Sequence, residues 1–166
     1  RGLFAVFAES MRQSAVVMIL IAGAFVVNYA VTAEQLAQVL VTWIQAQDLT
    51  ALQFMLLANL MFLLLGCMLD TGVLLLVVLP TLMPAVRLLE IDPVHFGVVA
   101  IVNFMIGLIT PPYGLLLFVL SSLAVVPLKD IIADIWKLLI PLVLVLLLLV
   151  LFPPLVLWLP RLAGYG

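Results

Sequence analysis

Apolar stretches of eighteen or more residues recur along this chain, each long enough as a helix to cross about 30 Å of hydrocarbon, and no other feature limits the fold as much. Of the 166 residues, 68% are hydrophobic and 8% charged, so the chain could not clothe a water-facing surface, where about 25% charge is usual. The expected class is an all-α, multi-pass membrane protein in contact with the lipid bilayer. The net charge of −2 sits at segment ends with no basic stripe, so nucleic acid is not an expected partner. Cys67 is the single cysteine and reads as a small buried residue. No zinc-ligand spacing, nucleophile paired with a base, or glycine-rich phosphate loop occurs, so an enzyme is not expected. The chain starts at Arg1 without a signal peptide, and we expect a further N-terminal portion.

Five segments follow from the hydrophobic pattern. A first span covers 13–31. Residues 32–50 form an amphipathic arm, with Leu36, Val39, Leu40, Trp43 and Ile44 on one face and an acidic rather than basic polar face. Residues 51–87 are too many for one span and too few for two with a turn, and Gly66-Cys67-Met68-Leu69-Asp70-Thr71-Gly72 interrupts them. A re-entrant hairpin with that turn at its tip fits the length. Irregular backbone at such depth is tolerated only inside protein or beside a wet cavity. Residues 93–126 are again too many for one span and are broken by Gly107-Leu108-Ile109-Thr110-Pro111-Pro112-Tyr113-Gly114, where paired prolines delete two backbone donors. A final, mostly Leu and Val span covers 136–159. Arg1, Arg12, Lys129 and Lys137 fall on one side and Arg87 and Arg161 on the other, which places the first group in the cytoplasm and the C-terminus outside.

The two interruptions carry the candidate chemistry. A carboxylate at mid-membrane costs about 2.5–3.5 kcal/mol on insertion scales, so Asp70 is open to two readings, a functional group or a cap for the second hairpin arm. At the helix break, freed carbonyls suit a dehydrated cation, Thr110 adds a hydroxyl, and the next half-helix offers N–H groups to an anion. Asn103 and Gly107 lie one turn apart on a face leading to the break. Asn103 either bonds a substrate or bridges two helices, the bridge being the simpler role. Asn59, Thr81 and Ser121-Ser122 read as contacts between helices. His95, the one histidine, reads as a structural residue of the loop at the membrane edge.

The strings Gly66-Cys67-Met68-Leu69-Asp70, Ile91-Asp92-Pro93-Val94-His95-Phe96-Gly97, Ile106-Gly107-Leu108-Ile109-Thr110-Pro111-Pro112-Tyr113-Gly114 and Leu157-Trp158-Leu159-Pro160, with Pro80, Pro84 and Asn103, resemble the large membrane subunit of tripartite ATP-independent periplasmic (TRAP) transporters over essentially the whole chain. That resemblance implies one repeat, the second of two inverted ones, of an elevator-type ion transporter fold with a re-entrant helical hairpin and a discontinuous helix. It implies sodium-coupled import of organic acids, of C4-dicarboxylate or sialic-acid type, across the bacterial inner membrane, with Na⁺ as coupling ion and no organic cofactor. The implied partners are a periplasmic substrate-binding protein, a small membrane subunit and the missing N-terminal repeat. The implied sodium site joins Gly66, Asp70 and Thr71 to Thr110, Pro111 and Gly114, with Asn103, Gly107 and Thr110 towards the substrate. Tyr113 departs from the small aliphatic residue common in the family. A proton-coupled carrier using Asp70 and a non-transporting scaffold subunit are the rival expectations.

Overall fold

Among the described residues, helices stop where a residue removes a donor or the backbone leaves the helical region. In the computed structural model the described residues are 3–69, 71–111, 116–117, 120–121 and 128–165, and among them there is no strand. Helix α1 is Leu3–Ala33. It begins ten residues before the predicted span, because Glu9 and Arg12 end the apolar run but do not break a helix. Gln35, at φ 50°, turns the chain into α2, Leu36–Ala46, whose inner face buries Ile44 and packs along the second half of α4.

Helix α3, Ala51–Met68, opens with a capping box. The Gln53 N–H donates to Thr50 Oγ1 at 3.3 Å, and the Thr50 N–H donates to Gln53 Oε1 at 2.9 Å. It closes at Leu69, which is extended at φ −109° and ψ 151°. The chain then turns back as α4, Thr71–Leu88, so the predicted hairpin has two arms of 18 residues. Within α4, Leu74–Val78 is a π-turn placed just before Pro80. Helix α5, Pro93–Ile109, is capped by Asp92, whose Oδ1 accepts from the N–H groups of Val94 at 2.8 Å and His95 at 3.2 Å.

Helical backbone recurs at 116–117 and 120–121, and the rest of the predicted half-helix up to 126 lies outside the described residues. The single final span expected over 136–159 is two helices, α6 at Leu128–Leu151 and α7 at Pro153–Leu162. Pro153 cannot donate to the carbonyl of Leu149, so α6 ends at Leu151 and Pro153 starts a new helix. His95 also departs from its expected loop position. It stands in the first turn of α5, is buried, and its Nε2 donates at 2.8 Å to the Leu149 carbonyl that Pro153 leaves without a partner.

The core lies between α3 and α5. Phe54, Ala58, Phe62 and Gly66 recur every four residues on α3, and Phe96, Ala100, Phe104 and Gly107 face them. Phe62 meets Phe104 edge-on with ring centres 5.0 Å apart and meets Phe96 at 5.9 Å, while Phe54 stacks on Phe96 at 6.3 Å. These pairings show that α3 and α5 run in the same direction, with α4 returning between them in sequence. Elsewhere the large apolar side chains are exposed, α1 almost throughout, and four helices (Phe4–Ala33, Ala51–Met68, Thr71–Leu88 and Lys129–Leu151) are long and apolar enough to cross a membrane.

Candidate functional site

Because α3 and α5 are parallel neighbours, their C-terminal ends arrive at the same place. The contact there is backbone on backbone. A Cβ added to Gly107 would stand 2.7 Å from the Gly66 carbonyl carbon and 2.8 Å from its Cα, so only glycine allows this approach. A Cβ on Gly66 would meet the Gly107 Cα at 3.4 Å, a tight but less severe contact. Half a turn beyond Gly66 the chain leaves α3, and three residues beyond Gly107 it leaves α5. The two predicted interruptions are therefore adjacent in space.

Thr110 ends α5 at φ −86° and ψ 126°. Its N–H donates to Gly107 O at 3.0 Å, and its hydroxyl donates to Ile106 O at 2.6 Å, the carbonyl that its own N–H would reach in a continuing helix. Donating that proton leaves the lone pairs of Thr110 Oγ1 free to accept. Pro111 follows as a half-buried turn residue. Pro111 and Pro112 have no N–H, so neither can serve the carbonyls four residues earlier, those of Gly107 and Leu108. Thr110 serves the first of these from one residue nearer.

Thr71 begins α4 against α5, and its hydroxyl oxygen is buried with no hydrogen-bond partner among the described residues. Buried hydroxyls are rarely left so. Of the residues expected to form the ion site, Gly66, Thr71, Thr110 and Pro111 are thus gathered at one end of the α3–α5 pair. Asp70 and Gly114 lie outside the described residues, as do Pro112 and Tyr113.

Asn103 and Gly107 face α3 rather than an open cavity. Asn103 is fully buried, and its Nδ2 donates to both the backbone carbonyl and Oδ1 of Asn59, each at 2.8 Å. Asn59 in turn donates to Met55 O at 2.7 Å. The interhelical bridge was the simpler of the two sequence readings, and Asn59 is its partner. Thr81 makes no such bridge, because its hydroxyl donates to Val77 O within its own helix. An interhelical hydrogen bond in a membrane averages about 0.6 kcal/mol, and an edge-on or offset aromatic pair is worth about 0.5–1.5 kcal/mol. The phenylalanine contacts therefore hold the two helices together, and the asparagine bridge fixes their register.

What sequence reasoning missed is electrostatic. Each helix C-terminus carries roughly half a negative charge and the N-terminus of α4 at Thr71 half a positive one, so the three ends together leave about half a negative charge, with no carboxylate needed. No group of three or more His, Cys, Asp or Glu that could hold a metal occurs among the described residues. The oxygens gathered here are carbonyls and hydroxyls, the donor set of a hard cation rather than of zinc.

The family described as "Tripartite ATP-independent periplasmic transporter, DctM component" matches residues 1–155. The chain is 39% identical over its whole length to the sialic acid TRAP transporter large permease protein SiaM of Vibrio cholerae, covering 39% of that protein. It is 36% identical, over 74% of its length, to the C4-dicarboxylate TRAP transporter large permease protein DctM of Pseudomonas aeruginosa, covering 29% of it. Against the protein of the same description from Rhodobacter capsulatus it is 30% identical over 96% of its length, covering 36% of that relative. The chain spans about two fifths or less of the length of these relatives.

Proposed function

Since this chain belongs to the DctM component family of tripartite ATP-independent periplasmic transporters, a family of multi-pass membrane permeases, we propose that it supplies one half of a sodium-coupled carrier for an organic acid. The observation that carries the reading is the convergence of two helix C-termini at Gly66 and Gly107, beside the unpartnered hydroxyl of Thr71 and the acceptor-ready hydroxyl of Thr110. A dehydrated Na⁺ takes hard oxygen ligands, and the paired dipoles supply the compensating negative potential. Asp70 and Gly114 complete the set in this proposal. The relatives named for sialic acid and C4-dicarboxylates make a carboxylate-bearing substrate the natural class here.

Length arguments support a tip that lies within the bilayer. Each hairpin arm has 18 residues, about 27 Å of helix, which alone would suit either a crossing or a re-entrant arm. The neighbours separate the two cases. His95 is level with Leu149, and from there α5 runs about 21 Å to its end, while α6 continues for about 32 Å towards Leu128, the last part of it carrying Lys137, Asp134, Asp130 and Lys129. Asn28 is level with Leu76, and α1 runs about 37 Å further in the tip direction, against about 8 Å for α4. The apolar part of α1, back to residue 13, thus overshoots the tip by about 15 Å, as expected of a helix beside a re-entrant loop.

In this proposal the permease works in the bacterial inner membrane with a small membrane subunit and a periplasmic binding protein that delivers the substrate. The test is uptake by the full-length permease reconstituted with those two components in proteoliposomes. Uptake should require an inward sodium gradient, and Thr110→Val should raise the half-saturating sodium concentration about tenfold, the equivalent of roughly 1.4 kcal/mol. Uptake that follows a proton gradient with sodium absent would overturn the reading.

A further inference from the structure

A proline within a membrane helix strands the carbonyl four residues earlier, and in hydrocarbon no water replaces the missing donor. Pro80 does this to Leu76, and in the register of the π-turn, where the Leu79 N–H reaches Leu74 O, to Leu75 as well; Pro153 does it to Leu149. In both places a side chain from another helix stands in for the absent N–H. His95 donates to Leu149 O at the base of α5, and Asn28 Nδ2 donates to Leu76 O from α1, also at 2.8 Å. The settings differ. His95 is buried at the wall of a cleft of about 450 Å³, whereas Asn28 is half-buried beside one of about 430 Å³ lined also by Thr32, Gln35, Gln38, Pro80 and Thr81.

The Leu76 carbonyl lies in the π-turn Leu74–Val78, five residues after Thr71. A π-turn holds one residue more than an α-turn, so everything before it is rotated by about 100° relative to an unbroken helix. That rotation decides which way the first residues of α4 face, Thr71 among them. We propose that Asn28 is a positioning residue for the hairpin tip. It replaces the donor that Pro80 lacks, holds the π-turn, and so keeps the Thr71 hydroxyl turned into the protein beside the end of α5. Asn28 touches neither ion nor substrate and acts through Leu76.

One of the readouts below rests on the sodium reading given above, and the other two do not. The full-length permease, with its partners for uptake and in detergent for melting, is compared as wild type, Asn28→Leu, Pro80→Ala and the double variant. Alanine at 80 restores an N–H that reaches the Leu76 carbonyl once the helix returns to the α register after the π-turn, which makes Asn28 redundant. Asn28→Leu alone should raise the half-saturating sodium concentration about fivefold, the scale of one hydrogen bond, and lower the melting temperature. In the Pro80→Ala background the same change should alter neither. In a Cys67→Ser, Thr71→Cys protein, Asn28→Leu should speed maleimide labelling of the new thiol about fivefold, and Pro80→Ala should cancel that increase. Additive effects on melting would overturn the proposal, because Asn28 would then not serve the carbonyl that Pro80 strands. Coupled melting with unchanged labelling would reduce Asn28 to a stabilising residue and overturn the positioning role. If wild-type uptake proves independent of sodium, the sodium reading fails by itself, and melting and labelling still decide the role of Asn28.

Discussion

The two ends of the α3–α5 pair are built in opposite ways. At the N-terminal end Thr50 and Asp92 cap the helices, His95 fills the gap left by Pro153, and phenylalanine rings occupy the space between. At the C-terminal end there is no packing side chain at the crossing, Thr71 Oγ1 has no partner among the described residues, and prolines withhold donors from the carbonyls. The same two helices are thus capped at one end, beside a cleft of about 450 Å³ lined by Ala51, Asp92 and His95, and left with unserved carbonyls at the other. Incomplete hydrogen bonding in a membrane segment costs free energy, and among the described residues it falls on Thr71 Oγ1 at that end and on Asn103 Oδ1 within the α3–α5 interface.

This contrast can be broken from either side. The largest expected effect is at the open end: Gly107→Ala would push a methyl group into the Gly66 backbone, part the helices and abolish uptake, while Gly66→Ala, with its 3.4 Å contact, should leave a measurable fraction. Equal loss in the two variants would show that the crossing is not as asymmetric as its geometry. A smaller effect is expected at the closed end. Asp92→Ala removes the cap of α5 and should destabilise the protein by about 1 kcal/mol in a melting experiment, with the half-saturating sodium concentration unchanged. A shift in sodium dependence would mean that the two ends are not separate in function. The smallest change lies at the same end as Asp92, in the turn before it: Glu90 sits at φ 54°, and Glu90→Gly should raise stability by about 0.5–1 kcal/mol without altering uptake. A lower melting temperature there would mean that the Glu90 side chain carries a contact worth more than the backbone strain.

The parts of this architecture that are local in cause were legible in the sequence. Gly66 to Gly72 and Thr110-Pro111-Pro112 end helices through their own backbone chemistry, so the hairpin turn and the helix break could be placed to within a residue or two. What the local pattern does not encode is which surface faces which. Gly107 and Asn103 were correctly set on one face, but that this face meets α3 depends on Gly66 and Asn59, more than forty residues away. The dipole argument was out of reach for the same reason, since it needs α3 and α5 to be parallel. Pro153 misled in another way. A proline pair is equally compatible with the end of one helix and the start of the next, and the structure uses it as both.

The run of interlocked rings from Phe54 to Phe104 has a mechanical consequence. No ring can change rotamer without displacing its neighbours, so α3 and α5 behave as one stiff beam below the glycine crossing. A force applied at the beam's end cannot be absorbed by splaying it. The load passes instead into the piece joined to that end, the returning arm α4.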